Sequence, residues 1–563
     1  GAATDLLHRV EIAPGDARSI DPAFCDELKS GSFACAGVSV PLGRSVFDVR
    51  TPSPAWSAAL HGFGWLRHVA SASDGEAARL SRQIVLDWIG KRSRHPALAF
   101  DGAVVARRVL SWLAAADVLL DTATAEEIEA FGAAWGRDVA RIREIAAEGL
   151  EAGALEAAYV QAMVAWCTDC APEDRHDLDR ALIRQLDAAV TPDGFHLSRD
   201  PARTLALLLD LRALKLVHQL RLSATPEPLD AAIQRLSAGL AFLRLGDGTL
   251  AFAGTPSLSE GQRPPVTVPL RPAETSCAIV KSGHVRLAAG ALVLVADCGA
   301  PAAQPWAGGT CATTLAFACS SGNAPLLGDA FGRSDRIEDR TALLANAVSI
   351  ADTSCGRFEL VDGGGHDLVF DGSVEVDVGS TDGRPWLEAT HTGYRGRFGV
   401  VHRRRIELSA DGSAITGTDV LQAPDMASPG VTMGAAAGFI PARGTALSLT
   451  GDPAAIDIHI ANGERWRLTS VDGPISVEPV DRASHASAHP AMRLVIPFAS
   501  GMTRQMQWRL ERLSAAAPRS AVPETAGEDT HAGPRAPRQA SQPRLLSTLR
   551  EALARVTGRS SGD

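Results

Sequence analysis

The chain has 563 residues, 45% apolar and 21% charged, with a net charge of −10. That length is too great for one core and fits two or three domains of an ordinary soluble protein. The acidic balance excludes the broad basic field that nucleic-acid binding needs, and no run of about 20 apolar residues is present to make a spanning helix.

The first half has a helical period. In PAWSAALHGFGWLRHVA (Pro54 to Ala70), Trp56, Leu60, Phe63 and Leu66 fall on one face. Further helices are predicted over Ala77 to Gly90, Val104 to Leu120, Thr124 to Leu150, Gly153 to Cys167, Asp177 to Val190 and Asp200 to Leu222, with a last one ending near Leu245. The Asp200 helix carries an N-cap aspartate and Pro201 at its first position. Long amphipathic helices with short connections imply antiparallel neighbours stacked in a ring.

From Gly246 the period shortens to two. HVRLAAGALVLVADCG alternates like a hairpin, and Asp411-Gly412 and Asn462-Gly463 sit between alternating runs. AMRLVIPFASGMTRQMQWRLERL reads as a closing strand pair. The second half is therefore expected to be a large antiparallel β-sandwich. The expected organisation is a toroid over 1–250, a sandwich over 251–513 and a low-complexity tail over 514–563. The tail is rich in Pro, Ala, Gly and charge and is expected to be disordered. Its LLSTLREALARV segment puts Leu545, Leu549, Leu553 and Val556 on one side of a short helix, suited to weak contact with a membrane surface or a protein, or simply a frayed end.

Nine cysteines, odd in number and scattered, exclude a dense disulfide scaffold. Cys167 and Cys170 form a C-x-x-C with no second pair, which reads as buried thiols rather than a zinc ribbon. The chain begins at Gly1 rather than Met, so an earlier leader stays open.

The ordered series WSAALHGFGWLRH, DGFHLSRDP, LRLGDGTLAF, SGHVRLAAGALVLVADCGAP, THTGY and FGVVHRRRIELSADGSAITGTDVL resembles the heparinase II/III-like family, in its alphaproteobacterial branch, over about residues 1 to 512. The resemblance implies an (α/α) toroid, a β-sandwich, and β-elimination at uronic-acid residues of an acidic polysaccharide in a cleft between them. It also implies a cell-envelope or periplasmic location, with the cytoplasm as the alternative.

Elimination at a uronate removes a weakly acidic proton beside a carboxylate. It needs a cation or donor on that carboxylate, a base such as Tyr or His, and an acid for the leaving oxygen. Only two tyrosines exist. Tyr159 is mid-helix and apolar in context, whereas Tyr394 lies in the Gly-rich turn TGYRGRFG with His391 before it and His402 after. These three, with His196 from the loop PDGFHLSRDP, are the candidate catalytic residues. Each has a bland counterpart: a ring packed on the sheet, or a loop that only joins two helices. Arg199, Arg395 and Trp65 are the candidate substrate contacts, with Trp65 and its neighbour His61 also readable as core.

Departures from the resemblance matter. The family's sandwich histidine falls at Cys311 in GGTCATTLAFA. Two further histidine-bearing runs appear here as DRTALLANAVSIADTSC and GAAAGFIP, without histidine. No metal or cofactor is therefore expected. Two functions remain: a lyase using some of His196, Arg199, His391, Tyr394 and His402, or a catalytically degenerate protein that binds the acidic polysaccharide. A glycoside hydrolase ranks third, since Asp193 and Asp200 flank His196 but no facing carboxylate pair is marked.

Overall fold

The computed structural model describes residues 6–148, 153–222, 224–252, 277–328, 337–361, 366–423, 432–480, 491–499, 504–514 and 543–545. The expected tail helix and the expected disorder of the tail lie outside them.

The helices are α1 (Phe24–Lys29), α2 (Pro54–Gly62), α3 (Leu66–Ala70), α4 (Gly75–Gly90), α5 (Gly102–Leu120), α6 (Ala125–Glu148), α7 (Ala154–Cys167), α8 (Pro172–Ala189), α9 (Pro201–Leu222) and α10 (Glu227–Leu243). Their starts follow local chemistry. Ser53 caps α2 by accepting from Trp56 N at 3.1 Å, and Asp200 caps α9 by accepting from Ala202 N at 2.8 Å. The single helix expected over Pro54 to Ala70 is broken at Phe63, which sits at φ +56° between Gly62 and Gly64. The break lets the Phe63 ring turn into a cluster with Trp65, Trp88 and Trp112.

α5, α7 and α9 form the inner wall of a helical toroid, with α4, α6, α8 and α10 outside. Burial shows the layering: nearly every residue of α7 is buried, but on α8 only Leu182, Leu186 and Ala189 are. The N-terminal segment crosses the inner wall. Val10 bridges to Thr168, the Glu11 carboxylate pairs with Arg221 at 2.7 Å, and Asp21 N donates to His68 Nδ1 at 2.8 Å. Ile12–Ala13 pairs antiparallel with Arg544–Leu545, so the far end of the chain returns to this segment.

Beyond the toroid, antiparallel sheets of eight, four and five strands make the sandwich. The eight-stranded and four-stranded sheets share one core, in which Leu387, Ile406, Met506 and Trp508 meet Ala437, Phe439, Leu494 and Ile496. The Asp411-Gly412 and Asn462-Gly463 turns join paired strands as expected, with Gly412 at φ +70° and Gly463 at φ +89°. The expected closing pair is corrected. Ala491–Ala499 joins the four-stranded sheet and Arg504–Ser514 the eight-stranded one, so the chain crosses between layers instead of turning back on itself.

The α8–α9 loop wedges between α10 and the sandwich. Ser282 Oγ donates to Asp193 at 2.9 Å and lies 3.0 Å from Thr191 Oγ1, whose hydroxyl can donate to it, and Phe195 stacks on His284 at 5.1 Å. Arg286 Nη1 donates across the joint to Phe242 O and Arg244 O. Gly194 makes the wedge fit. It sits at φ +87°, and a Cβ there would lie 1.8 Å from Arg235 O. Gly194→Ala is expected to destabilise the protein by about 2–3 kcal/mol or more, measured by urea unfolding.

Candidate functional site

The α8–α9 loop delivers His196 to the joint. Ser198 N donates to His196 Nδ1 at 3.0 Å, so the neutral ring carries its proton on Nε2. His196 is only 1% exposed, and its ring meets the edge of Trp306 at 4.8 Å. The Arg203 guanidinium lies over the same indole, 5.1 Å from its centroid, and pairs with Glu156. Trp306 comes from a sandwich loop and is half-buried. This cluster joins the two halves with an aromatic face and a cation.

Arg199 is placed differently from the expected substrate contact. Held at φ +54°, it reaches across the joint, donates from Nη1 to Ser282 O at 2.5 Å and pairs with Asp297. A Cβ on Gly299 would lie 2.4 Å from its guanidinium carbon, so glycine there makes room for the side chain. Its charge is met by a carboxylate of the sandwich, and it acts as a strut between the halves.

The middle of the toroid is filled from within. Arg18 pairs with Asp210 at 2.9 Å and Asp16 at 3.2 Å, Arg107 pairs with Asp210 at 3.0 Å, and Arg67 donates to Ser19 O and Gly64 O. Tyr159 donates its hydroxyl to Asp210 O at 2.8 Å, and burial pushes its phenol well above the usual value. Between these groups the cavity is about 30 Å³, the space of roughly one water.

The expectation that His391 and Tyr394 face the interdomain groove is corrected by their placement. Tyr394 is 0% exposed and donates its hydroxyl to Val348 O at 2.7 Å, on the inner face of the sandwich. His391 and His402 are buried opposite each other on paired strands. Their tautomers follow from the bonds. Gly393 N donates to His391 Nδ1, so His391 Nε2–H donates to His402 Nδ1 at 3.1 Å and His402 Nε2–H to Asp419 at 2.8 Å. Arg404 clamps Asp419 through Nε at 2.7 Å and Nη2 at 3.1 Å, and Trp508 Nε1 adds a bond at 3.1 Å. Burial alone would raise the Asp419 carboxyl; Arg404 and His402 beside it more than reverse that. Of the three successive arginines, Arg403 points outward and Arg405 lies over Trp386 on the outer face, while Arg404 points in, as the strand period requires.

Trp65 is likewise buried, with Nε1 donating to Leu60 O at 3.3 Å, so its placement matches the core reading. Arg395 is exposed on the single turn Arg395–Phe398. Of the expected residues, His196 and Arg199 reach the joint together, whereas Tyr394, His391 and His402 form a separate group inside the sandwich. Sequence reasoning missed Trp306 and Arg203. A lone tryptophan in the Pro- and Gly-rich run GAPAAQPWAGG was one signal. An arginine in the first turn of α9, where the helix dipole disfavours a cation, was the other. Among the described residues no cluster of three or more His, Cys, Asp or Glu side chains is arranged to hold a metal.

Two outcomes follow from the buried groups. Asp419→Ala leaves Arg404 unpaired in the core and is expected to cost about 3–5 kcal/mol in urea unfolding. Burial holds the imidazoles of His61 at about 4, His68 at about 2 and His284 at about 3, and keeps those of His391 and His402 below the ordinary value. These rings stay neutral in the fold and take up protons on unfolding, so the unfolded state binds more protons below about 6.5. Stability is therefore full above that pH and falls as the pH drops from about 7 to 5; a flat melting profile over that range would contradict it.

Residues 271–509 match the family model described as heparinase II/III-like, C-terminal. The chain is 30% identical over 448 residues to FtsZ-localized protein C of Caulobacter vibrioides, covering 74% of this chain and 75% of that one. Among solved structures it is similar to heparinase III, with a TM-score of 0.64 at 11% identity over 88% of this chain and 85% of the other. A heparan sulfate lyase HepC mutant from Pedobacter heparinus gives a TM-score of 0.52 at 11% identity, over 88% and 83% of the two chains. The toroid-plus-sandwich architecture, the matched sandwich model and the relative of comparable span together place the chain in the heparinase II/III-like family.

Proposed function

We propose that the protein binds an acidic, uronate-containing polysaccharide at the joint between toroid and sandwich and does not cleave it. The observation that carries this reading is the fate of the two phenols. Tyr159 and Tyr394 are the chain's only tyrosines, and each is buried with its hydroxyl donating to a backbone carbonyl. A phenol so placed has neither access to a sugar C5 proton nor a lowered pKa with which to accept it. His391 and His402 bond to each other and to Asp419 in the core, which leaves them a structural role on this reading. The resident N-terminal segment adds support, because its Arg18 and Asp16 occupy the inner wall beside Asp210 and Arg107.

Trp306 and Arg203 are the proposed contacts: the indole face that Arg203 leaves uncovered for a sugar face, and the guanidinium, shared with Glu156, for its carboxylate. His196 and Arg199 act behind them, holding the loop and the joint. Arg395 is an outlying contact for a longer polymer. The family relationship supports the ligand class and the cell envelope as the location, where acidic polysaccharides lie. No helix of the described residues is long and apolar enough to cross a membrane.

Binding is measured with polygalacturonate, alginate and hyaluronan at low and moderate salt. At least one is expected to bind, more weakly as salt rises. Arg203→Ala and Trp306→Ala are each expected to lower affinity about tenfold, roughly 1.4 kcal/mol, with unchanged circular dichroism. If no polyuronate binds, or both variants bind as the parent does, the reading fails.

A further inference from the structure

We propose that residues 546–556, at the C-terminal end of this chain, dock as a helix in the apolar groove formed by α8, α9 and the start of α10. The proposal is independent of polysaccharide binding. The groove is walled by Leu182, Ile183, Leu214, Pro226, Pro228 and Leu229 and has a volume of about 380 Å³. That is room for several aliphatic side chains in a row, of the size that holds small organic ligands. Its exposed rim is charged, with Arg180 and Arg184 on α8.

The position of the chain end selects the occupant. Leu545 is paired with Ile12, and Ile12 follows Glu11, whose carboxylate is bound by Arg221 on the last turn of α9. Two turns back along α9 from Arg221 is Leu214, in the groove wall. Between them stands Leu220, and just beyond Arg221 stands Leu222. They are 41% and 47% exposed, an unusual state for leucines on a well-packed helix. From the other side, Arg175 at the start of α8 donates to Thr168 O, and Thr168 bridges to Val10. The next residue, His176, already lines the groove. The strand pairing thus releases the chain at the same end of the toroid at which the groove opens.

The sequence beyond Leu545 suits that surface. Leu546, Leu549, Leu553 and Val556 are spaced three, four and three apart, which makes one apolar stripe about three turns long. Glu551 and Arg555 fall off the stripe, and Arg550 borders it. Eleven residues at about 1.5 Å each span roughly 16 Å, enough to run from the strand along the groove. A helix this short is marginal in water and needs a surface to persist. Residues 515–542, extended at about 3.3 Å each, can bridge roughly 90 Å, so the connection from the sandwich does not limit docking.

The full chain is compared with full-chain Leu549→Asp/Leu553→Asp and with Ile183→Glu, by amide hydrogen exchange and by binding of a labelled peptide covering residues 543–557. In the parent, residues 176–184 and the first turn of α10 are expected to be protected. Both variants are expected to lose that protection at least tenfold while the sandwich core keeps its own. The peptide is expected to bind the Leu549→Asp/Leu553→Asp chain at least tenfold more tightly than the parent, whose groove is filled, and not to bind the Ile183→Glu chain. Equal exchange in all three chains, or equal peptide binding by parent and tail variant, overturns the proposal. So does parent binding to phosphatidylglycerol vesicles as strong as that of the free peptide, because the helix is then available to a membrane and not docked.

Discussion

The ion pair between Arg18 and Asp210 determines what the helical ring can hold. It anchors the N-terminal segment against α9, with Asp16 on one side and Arg107 sharing the same carboxylate. If that one contact is lost, Asp210 keeps Arg107 and Arg18 keeps Asp16, so the whole network holds the segment in place. The segment is therefore a permanent part of the bore. On the proposed function, the surface that takes the ligand is the seam where the α8–α9 loop meets the sandwich.

That seam is built for rigidity. Arg199 and Arg286 cross it in opposite directions, one from toroid to sandwich and one back. Gly194, Gly283 and Gly299 permit the close approaches on which both halves depend. Trp306 and Arg203 pack beside the seam, with His196 against the indole and Glu156 on the guanidinium. Inside the sandwich the hydrogen-bond chain from Gly393 through His391 and His402 to Asp419 and Arg404 does a different task. It satisfies the polar side chains of four inward-facing strand positions, His391, His402, Arg404 and Asp419, so the expected catalytic histidines become part of the core.

Much of the architecture was legible because period and punctuation are local. Helix starts at Ser53 and Asp200, and hairpin turns at Gly412 and Gly463, follow from a few adjacent residues. The partition of Ala491–Ala499 and Arg504–Ser514 into different sheets was not legible, because two alternating runs joined by a short turn look alike whether they pair or cross. The site was harder. Strand alternation alone says that His402 and Arg404 share a face, but not that the face is the buried one. The decisive partner, Asp419, lies on the next strand in a run, TGTDVLQ, that looks unremarkable. Trp306 and Arg203 are 103 positions apart, and only the closed joint brings them together.

The claim that the family's elimination chemistry is absent here meets its most direct test in ultraviolet absorbance. The protein is incubated at high concentration with each polyuronate that it binds, and the unsaturated uronate product is followed for many hours. No rise above the enzyme-free control is expected, and Tyr394→Phe should leave that baseline unchanged. A steady rise that Tyr394→Phe abolishes, while the variant stays folded, would show that the buried phenol reaches a sugar and would contradict the reading.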